Sequence, residues 1–203
     1  MKARRSLSVG LTGGIAAGKS AALSAFACRG AWTLSLDALA HELSRKGGPL
    51  HRSILRAFGR GVLAGDGTLD RALLARRVFA DRRLLARLER STHPLLLAEM
   101  RRRLARCRAE VAVVDVPLLF EKGLGKDFDL TVLVAAPERV RLARAVGRGM
   151  TRADALRRLR SQWPQARREK LSDVVLENAG SLTSLRSAVA ECHEAFRLMA
   201  RSR

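Results

Sequence analysis

Short apolar runs separated by segments of helical periodicity give this chain its first recognisable pattern. The runs fall at Leu7–Leu11, Ala31–Leu36, Val111–Val116, Leu130–Ala135 and Val174–Leu176. Each run has the length and composition of a strand, and helical patterns lie between most of them. The sequence therefore predicts an α/β fold with a five-stranded parallel sheet and helices on both faces.

The spacing of the runs is uneven, and it predicts two additions to this sheet. About 70 residues separate the second and third runs, more than a single crossover helix requires. We therefore expect a helical insert at residues 38–109, interrupted by turns at Gly47-Gly48-Pro49 and Gly65-Asp66-Gly67. An arginine-rich helical pair, residues 137–169, follows the fourth run and is predicted to form a lid. The remainder, residues 1–37, 110–136 and 170–203, forms the predicted core.

The first run leads directly into a glycine-rich loop, residues 10–20, with the sequence GLTGGIAAGKS. From Gly13 onward the loop matches the phosphate-binding pattern G-x-x-x-x-G-K-[ST], and it has the preceding strand and the following helix that this pattern needs. The glycines let backbone N–H groups converge on an anion, and the helix offers its positive N-terminal end. The predicted nucleotide contacts are Gly13, Gly14, Ile15, Ala16, Ala17, Gly18, Lys19, Ser20 and Ala21.

Two side chains of this loop have specific predicted roles. Lys19 is placed to reach the β- and γ-phosphates of a nucleotide, and the Ser20 hydroxyl is placed to bind Mg²⁺. The fold is thus expected to be of the P-loop type, with the core predicted above binding the nucleotide. A phosphate loop alone leaves ATPases, GTPases and small-molecule kinases open. The chain has no Asn-Lys-x-Asp segment for reading guanine, so we favour a small-molecule kinase.

The net charge of +20 allows two interpretations. A basic domain can bind nucleic acid through phosphate contacts, or the charge can lie on solvated helix faces. The excess is arginine, with only six lysines, it is spread through helical segments, and aromatic residues make up only 4% of the chain. We favour the solvated faces and expect no specific nucleic-acid partner, although the field would attract polyanionic substrates.

The composition also gives expectations for the cellular location of the protein and for its cysteines. No apolar run approaches the roughly 18 residues that span a bilayer, and the basic N-terminus leads into the first strand rather than an apolar signal core. We therefore expect a cytoplasmic protein with no membrane partner. Cys28, Cys107 and Cys192 lie far apart, so neither a disulfide framework nor a zinc site is predicted.

Several segments, in order along the chain, resemble the dephospho-CoA kinase family. They are VGLTGGIAAGKS at 9–20, LDALAHEL at 36–43, FGRGVLAGDGTLDRALLARRVF at 58–79, HP at 93–94, DVPLLFEKG at 115–123, SQ at 161–162 and SDVVLENAGS at 172–181. The loop is generic, but the combination of Leu69-Asp70-Arg71, His93-Pro94 and residues 117–121 is specific to this family. The resemblance implies that the γ-phosphoryl of ATP passes to the ribose 3′-hydroxyl of dephospho-CoA.

The resemblance gives two aspartates candidate roles in this chemistry. Asp37 matches the residue that accepts or orients the proton of the attacking hydroxyl, and its alternative is to cap the helix starting at Ala38. For Asp115 the role also follows from the residue pattern, because Asp115 closes the apolar stretch Val111–Val114 in the form of a Walker B strand, where a carboxylate helps to hold Mg²⁺ directly or through water. Its alternative is simply a polar residue at the end of a strand.

The acceptor contacts are also implied by the resemblance. They are Asp37, His41, Arg71, His93, Leu118 and Glu121. Arg71 would pair with substrate phosphate, for which the guanidinium fork has suitable geometry. His93 is equally explained as a structural histidine beside Pro94, and Glu121 as the ion-pair partner of an arginine in the insert.

The lid departs from the family pattern, which has a glutamine, an arginine three residues on, and a second arginine four residues beyond that. When residues are counted back from Gln162 without gaps, Val140, Ala143 and Gly147 fall at the three family positions. A one-residue deletion after Gly147 instead puts Arg144 and Arg148 at the two arginine positions. The two would share a helix face. We prefer the gapped alignment, with Arg148 as the catalytic phosphate contact. Asn178 resembles the adenine-side position of the family, and a turn or capping role is its alternative.

Two other functions remain open from the sequence. One is a P-loop kinase acting on a nucleoside monophosphate or a small metabolite, which would share the loop and the lid but not the motif combination above. The other is a nucleic-acid-binding ATPase, for which the net charge is the only indication. Oligomeric state does not follow from the sequence.

Overall fold

Five parallel strands form one sheet in the order β2-β3-β1-β4-β5, as the apolar runs predict. In this computed structural model, residues 6–203 are described, and the basic residues 1–5 of the predicted core lie outside the described part. Strand β1 is in the middle of the sheet and pairs with both β3 and β4. The strands are β1 (Leu7–Gly13), β2 (Trp32–Ser35), β3 (Val111–Asp115), β4 (Leu130–Ala135) and β5 (Val174–Glu177).

The chain divides into two compact units. The sheet unit contains the chain up to Ser35 together with Cys107–Arg203, and the helical unit contains Leu36–Arg106. The helices of the sheet unit are α1 (Lys19–Cys28), α6 (Glu138–Gly147), α7 (Arg152–Ser161), α8 (Gln165–Glu169) and α9 (Leu182–Arg201), and those of the helical unit are α2 (Leu36–Leu43), α3 (Pro49–Phe58), α4 (Arg71–Ala80) and α5 (Arg82–Arg106).

The core of the sheet unit forms where α1 and α9 pack against β1 and its neighbours. The inward side chains of β1, β3 and β4 are fully buried there, as expected for central parallel strands. Phe26 of α1 stacks on Phe196 of α9 and meets the ring of His193 edge-on. The side chain of Ser181 caps α9 by accepting a hydrogen bond from the backbone N–H of Ser184.

Residues 137–169 form three helices rather than the predicted pair. Helices α6 and α7 correspond to the pair, and the short α8 was not anticipated from the sequence. The α7 N-terminus is capped by Thr151, whose hydroxyl accepts from the N–H of Asp154 at 3.1 Å. Pro164 precedes α8, where its fixed φ suits the start of a helix.

The helical unit has its own small core around Ile54, Val62, Leu74 and Val78. Asp70 caps α4 by accepting a hydrogen bond from the N–H of Leu73 at 2.8 Å. Helix α5 is continuous through Pro94. From the sequence alone, the helical patterns before and after this proline look like two separate helices. Among the described residues, no helix combines the length and the apolar character needed to cross a membrane.

The buried His193 makes the stability of the sheet unit depend on pH. Burial lowers the pKa of His193 below its usual 6.5, and the charge of Arg197 acts in the same direction. Between the lowered native pKa and the unfolded value near 6.5, the unfolded chain binds more protons, so stability falls as the pH falls. We expect the Tm of the protein to drop more steeply from pH 7.5 to pH 5.5 than the Tm of His193→Gln.

The exposed His41 supplies the control for this measurement. His41→Gln should retain the pH dependence of the unsubstituted protein. Equal slopes for all three proteins would show that His193 does not titrate on unfolding.

Candidate active site

The loop between β1 and α1 curls over the carboxyl end of the central strand. The N–H of Ala17 donates to the carbonyl oxygen of Gly14 at 3.0 Å, which closes the turn. Two residues have positive φ, Ala16 at 55° and Gly18 at 105°. The second of these requires glycine, because an L side chain rarely adopts that conformation. The loop therefore has the strand–turn–helix form of a phosphate site.

Asn178 holds this loop from the neighbouring end of β5. Its side-chain amide donates to the carbonyl oxygen of Ala17 at 2.7 Å, and its own N–H donates to Ala135. The amide lies where a Cβ on Gly18 would be, so glycine is needed at position 18 for this approach as well. Asn178 is buried, and Arg144 donates to its carbonyl oxygen at 2.9 Å. The residue predicted on the adenine side thus braces the loop.

Lys19 and Asp115 form an ion pair within the site. The ammonium group of Lys19 contacts Oδ1 of Asp115, the last residue of β3. Asp115 is buried, while Lys19 is partly exposed. The register of β1 and β3 brings Lys19 and Asp115 together, because Asp115 pairs with Leu11, which lies just before the loop.

Two buried arginines lie beside Gly14, and sequence reasoning missed both. A Cβ on Gly14 would meet the guanidinium groups of Arg141 from α6 and Arg168 from α8. Both side chains are almost fully buried, and in each the Nε and Nη1 atoms have no hydrogen-bond partner. Burial lowers the pKa of Arg141, with the like charge of Arg168 acting in the same direction. An anion between these groups and the loop would satisfy them.

Gln162 already places an oxygen at this point of the loop. Its Oε1 accepts a hydrogen bond from the N–H of Ile15 at 2.9 Å and lies close to Gly14. The loop N–H at residue 15 therefore points to the Gln162 side chain, which lies beside Gly14 as the two arginines do. A phosphate oxygen accepts hydrogen bonds from backbone N–H groups and guanidinium groups such as these, so the residues present fit a phosphate group.

Glu121 is the acidic neighbour of this cluster. Neither of its carboxylate oxygens has a hydrogen-bond partner, although both are buried. Burial lowers the pKa of Arg168, and Glu121 opposes that shift through its negative charge. Leu118, the other predicted acceptor contact in this segment, is 43% exposed.

The predicted lid arginines have different environments from Arg141 and Arg168. Arg144 bonds to Asn178 and to the carbonyl oxygen of Gly180. Arg148 is exposed at the C-terminal cap of α6. The only signal in the sequence for Arg141 was its place three residues before Arg144, where the family has glutamine. Nothing marked Arg168 among the many arginines of this segment.

A metal ion at this site would have few protein ligands. The described residues contain no group of three or more His, Cys, Asp or Glu that would form a protein cage for a metal ion. Ser20 is exposed at the start of α1, and Asp115 supplies a carboxylate. Mg²⁺ commonly takes one or two protein oxygens together with substrate phosphates and water, and this donor set fits that habit.

The remaining predicted residues belong to the helical unit. Asp37 and His41 are exposed on α2, and Asp37 is the second residue of that helix, inside its first turn rather than at its N-cap. Arg71 and His93 line one cavity of about 340 Å³. Arg71 donates to the hydroxyl oxygen of Ser44 at 2.5 Å. The structure therefore brings Arg71 and His93 to the same cavity.

Comparison with known proteins gives a consistent result over almost the whole chain. A family model described as dephospho-CoA kinase matches residues 7–184. A protein of Methylococcus capsulatus named dephospho-CoA kinase is 38% identical over 195 residues, covering 96% of this chain and 98% of its own.

Two solved structures are similar as well. The crystal structure of TT1252 from Thermus thermophilus has a TM-score of 0.82 at 36% identity, covering 94% of this chain and 98% of its own. Dephospho-CoA kinase from Campylobacter jejuni has a TM-score of 0.65 at 21% identity, covering 94% and 97%, which shows the fold.

Because the Nε and Nη1 atoms of Arg141 lack hydrogen-bond partners, we expect its substitution to affect the stability of the free protein and the binding of ATP in opposite directions. In Arg141→Met the buried charge is removed, so the Tm of the free protein should stay the same or rise. The same change should weaken ATP binding by roughly ten- to a hundredfold, as expected for losing a charge-assisted hydrogen bond. Thermal shift with an ATP titration measures both quantities.

Arg148→Ala is the matched control, because it removes an exposed arginine of the same helix. It should keep the ATP-dependent rise in Tm. If Arg148→Ala abolishes that rise and Arg141→Met keeps it, the phosphate contact belongs to Arg148, as the gapped alignment predicted.

Proposed function

This chain belongs to the dephospho-CoA kinase family, and on that premise we propose how its residues carry out the reaction. The enzyme is a kinase that transfers the γ-phosphoryl of ATP to the ribose 3′-hydroxyl of dephospho-CoA. The products are coenzyme A and ADP, and the reaction is the final step of coenzyme A biosynthesis. The observation that carries the residue roles is the position of two buried arginines beside Gly14 of the loop, with the Nε and Nη1 atoms of each lacking a hydrogen-bond partner.

The donor site is the loop with the cationic side chains around it. Backbone N–H groups of residues 14–18 bind the phosphates of ATP, and Lys19 exchanges Asp115 for the β- and γ-phosphates. Arg141 and Arg168 neutralise the charge that develops on the equatorial oxygens of the transferred group. In this proposal they take the role that the gapped alignment predicts for Arg148, supported by their burial beside Gly14.

Mg²⁺ is the metal that this donor set suits. The Ser20 hydroxyl and the Asp115 carboxylate would hold it together with oxygens of ATP. When bound, it supplies charge neutralisation of the phosphate oxygens. In this proposal Lys19 would turn from Asp115 to the phosphates, so that the Asp115 carboxylate could contact the metal ion.

Asp37 is the proposed general base. It follows the last residue of β2 by only two positions and is exposed, so its carboxylate is accessible to a substrate hydroxyl. A carboxylate in this role accepts or orients the proton of the attacking 3′-hydroxyl. Its position inside the first turn of α2 leaves its side chain unused as an N-cap.

The proposed acceptor contacts come from two segments of the chain. Arg71 and His93 come from the cavity of the helical unit, with Asp37 and His41 on its first helix. Leu118 and Glu121 come from the segment after β3. Residues 38–109 then act as the acceptor insert, and residues 137–169 act as the lid that brings Arg141 and Arg168 over the phosphates.

A coupled assay of ADP release tests the function. With ATP and Mg²⁺ present, we expect release that depends on dephospho-CoA, at a kcat in the range of about 1–100 s⁻¹ that is usual for kinases. Adenosine monophosphate offers the same ribose hydroxyl without the rest of the acceptor, so it should be a far poorer substrate. Absence of dephospho-CoA-dependent release would refute the proposed reaction.

Asp37→Asn tests the general base. Turnover should fall by roughly a hundredfold to ten-thousandfold, because the amide does not accept the proton, while the KM for ATP stays near its normal value. Glu42→Gln is the control, since Glu42 is a second exposed acid of α2, paired with Arg103. Near-normal turnover in Asp37→Asn, with the fold intact by circular dichroism, would remove Asp37 from catalysis.

A further inference from the structure

One contact of the phosphate loop is made by a side chain that has no role in the proposed function. The N–H of Ile15 donates to Oε1 of Gln162 at 2.9 Å, although loops of this kind direct their N–H groups to phosphate. We propose that Gln162 is a positioning residue of the donor site, whose amide oxygen takes the place of a phosphate oxygen until the nucleotide displaces it. The inference rests on the proposed binding of ATP phosphates at this loop, and it adds what sets the strength of that binding.

Gln162 brings its amide oxygen to the same place as the two buried arginines. A Cβ on Gly14 would lie 3.2 Å from this oxygen and 3.0 Å from Nη2 of Arg168, and it would also meet Nη1 of Arg141. Among the described residues, the Nε and Nη1 atoms of both arginines have no hydrogen-bond partner. The amide oxygen therefore takes up the loop N–H while these guanidinium atoms stay without partners.

The backbone is constrained on both sides of Gln162. Its own N–H donates to the carbonyl oxygen of Leu159 and caps the end of α7. On the other side, the guanidinium of Arg167 lies over the ring of Trp163, 3.5 Å from the ring centroid, and Pro164 leads into α8 with its fixed φ. With both neighbours held, the amide oxygen can leave the loop by rotation of the Gln162 side chain.

The neutrality of Gln162 is what lets a phosphate replace it. A phosphate that takes the Ile15 N–H displaces one neutral hydrogen bond, and it adds charge-assisted bonds to Arg141 and Arg168, which are about twice as strong as neutral ones. A charged acceptor at position 162 would pair with the arginines itself and hold the site against the nucleotide. A side chain without an acceptor would leave the loop N–H open to the phosphate.

Two substitutions of Gln162 should change the affinity for nucleotide in opposite directions. In Gln162→Ala the competing oxygen is absent, so the Kd of adenylyl imidodiphosphate, a non-hydrolysable ATP analogue, should fall about two- to tenfold, the effect of one neutral hydrogen bond. In Gln162→Glu the carboxylate pairs with the arginines, so the Kd should rise roughly ten- to a hundredfold. Calorimetry measures both values. A purely structural role would weaken binding in both variants, and weaker binding by Gln162→Ala would overturn the proposal.

Two nearby positions supply matched controls. Gln165 is a second partly buried glutamine, bonded to Glu169 at 2.8 Å, so Gln165→Ala removes the same chemical groups without touching the bond to Ile15. Ser161→Glu adds the same charge as Gln162→Glu on the exposed residue before it. Both controls should keep the Kd within about twofold of the unsubstituted protein. If Ser161→Glu weakens binding as much as Gln162→Glu does, the effect is one of net charge and the proposal fails.

The amide of Ile15 reports the exchange of partners directly. In amide NMR spectra of the free proteins, its resonance should differ between the unsubstituted chain and Gln162→Ala, because only the first has the side-chain acceptor. Saturation with the analogue should bring the two resonances together, since both N–H groups then donate to phosphate. A difference that persists at saturation would show that Gln162 stays on the loop, which would overturn the proposal. Gln162→Glu keeps the size of the side chain and should raise the Tm of the free protein, so it provides a folded variant in any case.

Binding without turnover separates this inference from the proposed reaction. If the protein releases no ADP with dephospho-CoA but the two Gln162 variants change the Kd of the analogue in opposite directions, the reaction fails and the role of Gln162 stands. If turnover is normal and both variants bind the analogue equally well, the role of Gln162 fails and the reaction stands. Inorganic triphosphate is the second probe, and its Kd should change in the same two directions. Equal affinity for triphosphate in all the proteins would show that Gln162 does not compete with phosphate.

Discussion

Two buried positive charges beside a glycine govern the organisation of the sheet unit. Arg141 and Arg168 bring guanidinium groups against Gly14, with nitrogen atoms of both lacking a partner. Leaving a buried charge unpaired costs several kcal/mol in proteins. In the function proposed above, a phosphate of the nucleotide would complete the hydrogen bonds of these groups. Part of the affinity for the nucleotide would then come from satisfying buried charges that lack partners in the free protein.

Three segments of the sheet unit lie around Gly14, and two of them carry these charges. The central strand β1 ends at the loop, α6 follows the neighbouring β4, and α8 leads into the outer strand β5. Asn178 then ties the end of β5 to the carbonyl of Ala17, and Gly18 leaves the space that this amide needs. Because the strands are parallel, the carboxyl ends of β1, β4 and β5 lie at one edge of the sheet, where the loop, α6 and Asn178 follow them.

In the proposed function the helical unit contributes residues that contact the acceptor. Its cavity is mostly apolar, and Arg71 and His93 lie among leucines in the lining. A kinase that phosphorylates one ribose hydroxyl must distinguish its acceptor from other adenosine compounds, which share the same ribose. Binding energy from the parts of the acceptor that do not react is a physical means of doing so. Under the proposed function, residues of the sheet unit bind the donor phosphates and residues of the helical unit contact the acceptor.

The sequence by itself determined the phosphate loop, the five strands, the presence of a helical insert and the family. Each depends on local spacing: the loop pattern needs only eight consecutive residues, and strands and helices follow the periodicity of apolar positions. It also identified Lys19 and Asp115 separately, from the motif and from the end of an apolar run. Only the tertiary structure joined them as a pair, through the register of β1 and β3. Likewise, 33 arginines look alike in the sequence, and only burial beside Gly14 distinguishes Arg141 and Arg168 from the exposed Arg148. The physical reason is that a charge acquires its role from its distance to other groups and from the exclusion of water, and neither is a property of neighbouring residues along the chain.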